Sequence, residues 1–176
     1  MNARDGNRMG RFHRICLRLL LATLAGAGIA DAAHAQSAIF MVRHAEKLDE
    51  SDDPPLSPAG RARAEALAKL VRDAGIKAIY VTQYQRTTLT AAPLAEALGL
   101  EPITIHSDAS AELIERMRRD HPNDAVLLVG HSGSVPRVLK LLGHAEAIEI
   151  GHDEYDSLFI AVPKPGGAPS VLRLRF

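Results

Sequence analysis

The sequence predicts an α/β fold: a three-layer sandwich in which a mostly parallel central sheet is flanked by helices on both faces. Three observations support this prediction. Short apolar segments alternate with longer amphipathic segments through four successive units. The fourth apolar segment, residues 125–129, has no polar side chain, as expected for a strand at the centre of a sheet. A short loop joins the last two apolar segments, which predicts an antiparallel strand pair at the C-terminus.

The first strand–helix unit has clear signals at both ends. Residues 38–42 are a short apolar run that predicts a buried strand. Ser57-Pro58 predicts the start of a helix, with serine as N-cap and proline at the first helical position. Gly75 predicts its end. The side chains expected on its buried face are Ala59, Ala62, Ala66, Leu67, Leu70 and Val71.

The next two units repeat this pattern. Strands are predicted at residues 78–81 and 102–105, and helices follow them over residues 87–98 and 109–119. Gly99 directly follows the first of these helices and predicts its end. Each strand is therefore followed by a helix that can return the chain to the end of the sheet where the strand began, so that the next strand can run parallel to it.

The rest of the chain completes the sheet. A helix over residues 135–142, closed by Gly143, follows the central strand. Two final strands, at 158–162 and 171–174, surround a Pro-Gly-Gly loop. We find no internal repeat and no linker to a second domain, so residues 36–176 are expected to form one domain.

The first 35 residues differ from the rest. Five arginines precede an apolar run over residues 19–30, and Ala33-His34-Ala35 fits the small-x-small pattern of a cleavage site. This order predicts a secretory signal peptide cut before Gln36, hence an exported protein in the periplasm or outside the cell, with no membrane span in the mature chain. The apolar run is shorter than the ~20 residues that span a bilayer. A buried N-terminal helix or a membrane anchor is the alternative.

Charge and cysteine content exclude several classes of function. Five of the 21 basic and two of the 21 acidic residues lie in the first 35 positions, which leaves 16 and 19 and a net charge of −3. Nucleic acid is not expected as a partner, because it requires a basic face. Cys16, the one cysteine, lies in the leader. The mature chain therefore has no disulfide and no cysteine metal site.

Arginines and histidines follow the ends of three predicted strands. Arg43-His44 follows the first strand, Arg86 lies in the loop after the second, and His131 follows the fourth. Ligands of such sheets bind beyond the carboxyl ends of the strands, and connecting loops there often carry function. We therefore expect these four side chains to converge on one site.

Three interpretations of this cluster compete. The histidines could bind a metal together with Glu46 or Asp153, but two arginines would repel the cation. They could be structural histidines, although two at parallel strand ends make this less attractive. The arginines instead suit a phosphate dianion, because each guanidinium can donate paired hydrogen bonds to phosphate oxygens.

Four motifs in order resemble the histidine phosphatase superfamily, whose fold is shared with cofactor-dependent phosphoglycerate mutases. Over residues 39–143 they are Arg43-His44-Ala45, Leu56 to Gly60, Thr82 to Ala92 with Arg86-Thr87, and Val129 to Ser132. Ala45 stands where the family usually has glycine, and Thr82 where it usually has serine. The chain lacks the long insertion that caps the pocket of larger members, like the small branch that acts on phosphohistidine proteins.

The resemblance implies a role for each of the four residues. His44 would be the nucleophile and form a covalent phosphohistidine. It must be neutral to attack, with its other ring nitrogen donating to a backbone carbonyl. Arg43, Arg86 and a charged His131 would hold the three non-bridging oxygens of the phosphoryl group. The arginines take the place of a cation, so no metal and no cofactor are expected.

The general acid that protonates the leaving group has no clear motif. The resemblance places a glutamate after the third strand, and Glu112 lies near that position, with Glu115 close by. Glu154 and Glu46 are the alternatives. A good leaving group, such as a phosphoramidate nitrogen, would need the acid less.

These observations predict an exported, metal-independent phosphatase of phosphomonoesters or phosphoramidates. A small phosphorylated compound, such as a sugar phosphate, or a phosphohistidine is the expected substrate. The weak signal for an acid and the alanine at position 45 leave an alternative, a non-catalytic phosphate-binding or phosphoester-binding module of the same fold.

Overall fold

The computed structural model describes residues 37–176, which form a six-stranded sheet with four helices. The predicted signal peptide lies outside the described residues. Within them, no helix has both the length and the apolar character needed to cross a membrane.

The elements follow one another with short connections. In chain order they are β1 (Ala38–Arg43), α1 (Pro58–Val71), β2 (Ile76–Thr82), α2 (Gln85–Leu98), β3 (Ile103–Ile105), α3 (Ser110–Asp120), β4 (Ala125–Gly130), α4 (Ser134–Leu141), β5 (Ser157–Lys164) and β6 (Gly167–Arg175). Every predicted element is present, with bounds that differ by at most four residues.

The strand order is β3-β2-β4-β1-β5-β6. The pairs β2–β3, β2–β4 and β1–β4 are parallel, whereas β1–β5 and β5–β6 are antiparallel. The predicted mostly parallel sheet with an antiparallel C-terminal pair is therefore confirmed. β4 and β1 lie at the centre, and all six residues of β4 are buried.

Two apolar cores lie on opposite faces of the sheet. On one face, α3 and α4 contribute buried residues such as Met117 and Leu139. On the other, α1 and α2 contribute residues such as Leu67 and Leu94. The predicted three-layer arrangement is confirmed, because helices cover both faces and alternate residues of β1, β2, β4 and β5 supply the two cores.

The buried face predicted for α1 is partly wrong. Leu67 and Val71 are buried as expected, but Leu70 is 50 % exposed and three predicted alanines also face solvent. The buried set is Gly60, Ala64, Leu67, Ala68 and Val71. In a helix this rich in alanine, the periodicity alone leaves the rotation about the helix axis poorly determined.

Gly60 shows what sets that rotation. A Cβ atom at this position would lie 2.3 Å from the backbone oxygen of Glu46. The amide of Ser57 also donates to this oxygen, at 2.9 Å. The Ser57 hydroxyl accepts from the Gly60 amide at 3.0 Å, which confirms the predicted N-cap. The start of α1 therefore packs against the segment that follows His44.

Candidate active site

Two adjacent parallel strands bring the two histidines together. Arg43 at the end of β1 pairs with Gly130 at the end of β4, and the His44 amide donates to the Gly130 oxygen at 2.9 Å. His44 and His131 thus leave the sheet side by side. Their ring centroids lie 5.3 Å apart in an edge-to-face arrangement. The sheet register therefore sets the distance between the two imidazoles.

Arg43 is buried, and the loop before β5 orients it. Its Nη1 donates to the backbone oxygens of Gly151, His152 and Glu154 at 2.8, 2.6 and 3.1 Å. Its Cζ lies 4.1 Å from the centroid of the Tyr155 ring, a cation–π contact. These contacts restrict the guanidinium to one orientation.

Arg86 is held in a similar way in the first turn of α2. Its Cζ lies 4.1 Å from the centroid of the Tyr84 ring, which also contacts the His131 ring edge-to-face at 5.4 Å. Its Nη1 lies 3.5 Å from Oδ1 of Asp53 and 3.4 Å from the backbone oxygen of Asp52. Each site arginine is thus braced by a tyrosine.

His44 has the protonation state that a nucleophile needs. Its Nδ1 lies 2.8 Å from the backbone oxygen of Ala45, so Nδ1 carries the proton and Nε2 presents a lone pair. Burial lowers its pKa to about 3 and outweighs the raising effect of the Ala45 hydrogen bond, while the charges of His131, Arg86 and Arg43 lower it further. The imidazole is therefore neutral near pH 7, as the sequence predicts.

His131 differs from the sequence-based expectation of a charged donor. Burial, followed by the charges of Arg86 and Arg43, lowers its pKa to about 4, so the ring is neutral near pH 7 in this structure. Its Nε2 lies 3.0 Å from the hydroxyl of Thr82. An oxyanion within hydrogen-bonding distance would favour the protonated form, because opposite charges stabilise each other in a buried site.

Threonine hydroxyls connect the strand ends to α2. Oγ1 of Thr90 accepts from the Ala45 amide at 2.9 Å and donates to the Arg86 oxygen at 2.7 Å. Oγ1 of Thr87 accepts from the Thr82 amide at 3.0 Å. The segment around Arg86 is therefore tied to the residue that follows His44 and to the end of β2, where Thr82 contacts His131, so the geometry of the four side chains is mutually dependent.

The site has unpaired buried donors. Nε of Arg43 and Nε of Arg86 are buried and have no hydrogen-bond partner among the described residues. Buried polar groups in native proteins are normally paired, so two unpaired guanidinium nitrogens in one site point to an anionic ligand. Among residues 37–176, no group of three or more histidine, cysteine, aspartate or glutamate side chains is placed to hold a metal ion.

Two of the predicted acid candidates are engaged in ion pairs. Glu46 is bonded to Arg63, with Nη2–Oε1 at 2.6 Å. Burial alone would raise its pKa, but the hydrogen bonds and charge of Arg63 outweigh burial and lower the pKa. Burial would likewise raise the pKa of Glu154, and hydrogen bonds from Ser157 and Arg173 lower it. Both carboxylates are therefore held by arginines that lie outside the site.

Glu112 lies exposed in the first turn of α3. The carboxylate that contacts a site arginine is instead that of Asp53, which lies beside Arg86. Asp53 also accepts from the Gln85 amide at the start of α2, at 3.0 Å. Sequence reasoning missed Asp53, and it missed Tyr84 as a support of Arg86. One sequence signal was available for Asp53: it directly precedes Pro54-Pro55 in the loop between the first two motifs.

The chain is similar to known proteins over part of its length. The family model described as "Histidine phosphatase superfamily (branch 1)" matches residues 39–110, which include the first three motifs. A curated relative named "Probable phosphoglycerate mutase GpmB", from Yersinia enterocolitica, is 34 % identical over 73 residues. That alignment covers 38 % of this chain and 34 % of the relative, so the chain matches about a third of the relative's length. Over residues 39–110 the chain is therefore similar to the histidine phosphatase superfamily, as its motifs predict.

Solved structures show that this chain shares its fold with several phosphatases. A mycobacterial glucosyl-3-phosphoglycerate phosphatase in complex with inorganic phosphate has a TM-score of 0.63 at 16 % identity, covering 80 % of this chain and 96 % of that one. The protein histidine phosphatase SixA complexed with tungstate also has a TM-score of 0.63, at 17 % identity, covering 78 % and 96 %. An Entamoeba histolytica phosphoserine phosphatase in complex with 3-phosphoglyceric acid has 0.62 at 15 %, covering 80 % and 97 %.

The lowered pKa values of the two imidazoles predict how the stability of this protein depends on pH. In the unfolded chain both histidines bind a proton near pH 6.5, whereas in the folded chain they do so only near pH 3 and 4. The unfolded state therefore binds more protons between these values, and the free energy of unfolding should fall as pH falls from 6.5 to 4.5. Replacing His44 and His131 together by asparagine should flatten this slope, measured by urea unfolding at several pH values.

His152→Asn is the matched control, because it removes an imidazole whose side chain is 77 % exposed. It should keep the slope of the unmodified protein. The prediction would be wrong if the double variant lost stability with falling pH as steeply as the unmodified protein does.

Proposed function

We propose that this chain is a phosphatase that hydrolyses phosphomonoesters or phosphoramidates through a covalent phosphohistidine on His44, without a metal. The observation that carries the proposal is the position of the His44 ring. Its Nδ1 is committed to the Ala45 oxygen, so Nε2 is the reactive atom, and the His131 ring and both site arginines lie within interaction distance of it.

The chemistry would proceed in two displacements. In the first, Nε2 of His44 attacks phosphorus, the P–N bond forms, and the bond to the leaving group breaks while that group takes up a proton. In the second, water attacks phosphorus, loses a proton, breaks the P–N bond and releases phosphate. Charge on the non-bridging oxygens would be stabilised by Arg43, Arg86 and His131, which are preorganised donors.

Hydrolysis is favoured over a mutase reaction by the openness of the site. Only residues 106–109 separate β3 from α3, so no long insertion follows β3. A mutase must keep water away from its phosphorylated intermediate, which favours a covered pocket. The three structural relatives named above are phosphatases by name. Their named substrates suggest a small phosphorylated compound or a protein phosphohistidine, and a sugar phosphate remains compatible with this site.

Asp53 is our candidate general acid for the first displacement, because its carboxylate contacts an arginine of the site, whereas Glu46 and Glu154 are bonded to arginines outside it. Oδ1 of Asp53 lies 3.5 Å from Nη1 of Arg86 and accepts from the Gln85 amide at the start of α2. Asp53 belongs to the loop that follows His44. Glu112 has no such contact with a site residue among those described. The proton for the leaving group would then come from the loop between β1 and α1.

Asp53→Asn tests this role, because asparagine keeps an oxygen that can accept from the Gln85 amide. We expect kcat/KM for an alkyl phosphate such as glycerol 3-phosphate to fall about 100-fold, the lower range for loss of general acid catalysis. Turnover of 4-nitrophenyl phosphate should change far less, because its leaving group needs no proton. Glu112→Gln should leave both rates unchanged; the reverse pattern would assign the acid to Glu112.

Turnover of 4-nitrophenyl phosphate by purified protein at pH 5–7, with excess chelator, tests the proposed function. Phosphate release that persists in chelator and leaves a denaturation-stable, acid-labile phosphoryl group on the protein would support it. Binding of phosphate or vanadate without turnover would instead indicate the non-catalytic module. Turnover lost on chelation and restored by a divalent cation would indicate a metallohydrolase.

Export of the protein is part of the same proposal and rests on residues 1–35 alone. Expression of the full chain in a bacterium, followed by cell fractionation and N-terminal sequencing, tests it. Recovery from the periplasm or medium with Gln36 as first residue would support export. Retention in the cytoplasm with residues 1–35 present would refute it.

A further inference from the structure

A cleft continues the site beyond His131. It is lined by His131, Arg86 and Tyr84 on the side of the site, and by Arg137, Asp108 and Ser107 farther out. Arg137 lies in the first turn of α4, one turn beyond Gly133, whose backbone oxygen accepts from the Arg137 amide. The segment that follows β4 therefore supplies both His131 and a further cationic side chain, Arg137, to this cleft.

The Arg137 side chain is exposed and available. Within residues 37–176, no carboxylate lies within 4.0 Å of its guanidinium, whereas most other arginines of this region form such pairs. Asp108, across the cleft, is bonded to the imidazole of His106. The guanidinium of Arg137 can thus receive a ligand without breaking an existing ion pair.

The opposite side of the site has the opposite charge. The loop of residues 49–53 carries four carboxylates, and it reaches Arg86 through Asp53. None of these loop residues lines the cleft. A second negative charge on the substrate would be repelled by this loop and attracted toward Arg137, so the charges favour placing that charged group near Arg137.

We propose that Arg137 forms a subsite for a second anionic group of the substrate, a carboxylate or a second phosphate, next to the phosphoryl group held by His131 and Arg86. This rests on the proposed function, because it assumes that the phosphoryl group occupies the site between the two histidines. Arg137 acts in binding and specificity: a guanidinium can donate paired hydrogen bonds to either anionic group.

Ligand affinity in the inactive His44→Ala background tests the subsite independently of turnover. Calorimetry at low ionic strength compares 3-phosphoglycerate with glycerol 3-phosphate, which lacks the carboxylate, and fructose 1,6-bisphosphate with fructose 6-phosphate, which lacks the second phosphate. In at least one pair, we expect the ligand that carries the second anionic group to bind more tightly than the ligand that lacks it. Adding Arg137→Gln should reduce that affinity ratio about tenfold, the effect of losing a charge-assisted hydrogen bond.

Two further variants complete the test. Lys140→Gln removes an exposed cation one turn later on α4, outside the cleft, and should leave both ratios unchanged. Asp108→Asn should raise the ratio, because it removes a negative charge facing Arg137. If Arg137→Gln changed neither ratio, or weakened both members of each pair equally, the subsite would be refuted. Failure of the unmodified protein to hydrolyse any phosphomonoester or phosphoramidate would refute the proposed function instead.

Discussion

Replacing His44 by alanine should reduce phosphatase turnover by at least about 1,000-fold, the largest effect expected of any single substitution in this chain. Loss of a nucleophile removes the covalent route altogether, and it costs more than loss of one stabilising donor. The variant should still bind phosphate or vanadate, because Arg43, Arg86 and His131 remain. Steady-state kinetics with 4-nitrophenyl phosphate and calorimetry with vanadate measure the two properties separately.

The phosphoryl-enzyme provides a second readout for His44. After incubation with labelled substrate and rapid denaturation, the unmodified protein should carry an acid-labile phosphoryl group that His44→Ala lacks. His152→Ala is the control, since that imidazole is exposed and only its backbone oxygen contacts Arg43. A His44→Ala variant that retained more than a tenth of the turnover would refute His44 as the nucleophile.

Arg86→Gln should reduce kcat/KM by about 100- to 1,000-fold, as expected for loss of one preorganised donor to the transition state. The side chain is held over the Tyr84 ring, and its buried Nε has no partner among the described residues, so that donor is available to a ligand. Arg86→Lys should recover only a small part of this loss, because an ammonium group cannot reproduce the paired donors of a guanidinium.

Arg72→Gln is a suitable control for this loss. Arg72 lies at the end of α1 and its side chain is 63 % exposed, so its replacement should leave kcat/KM unchanged. Urea unfolding of all three variants would separate a catalytic loss from a loss of folded protein. An effect of Arg86→Gln below tenfold, with unchanged stability, would mean that Arg86 does not hold the phosphoryl group.

The identity of the elements and the convergence of the site residues could be predicted because both depend on local patterns. A run such as Ala125–Val129 is apolar throughout and can only be a buried strand or part of a buried helix, and its length favours the strand. The carboxyl ends of parallel strands meet at one edge, so residues after the strands had to meet there. Arg43, His44, Arg86 and His131 do so in the structure.

Other features depend on contacts between distant segments and leave no local signal. The buried face of α1 is set by the approach of Gly60 to the backbone of Glu46, which an alanine-rich sequence does not reveal. Glu46 and Glu154 are plausible acids by sequence, yet each is paired with an arginine that lies 17 or 19 residues away. The pKa of a carboxyl group depends on such partners and on burial, which only the folded chain defines.

The sequence by itself determined the α/β class, the succession of strands and helices, and the four residues that meet beyond the strand ends. Periodicity, capping residues and side-chain chemistry are properties of short segments, so they can be read without coordinates. Only the tertiary structure decided which nitrogen of His44 is free, that His131 is neutral in this structure, and that Asp53, Tyr84 and Arg137 surround the site. Those properties arise from burial and from contacts across the sheet, and the chain acquires them only on folding.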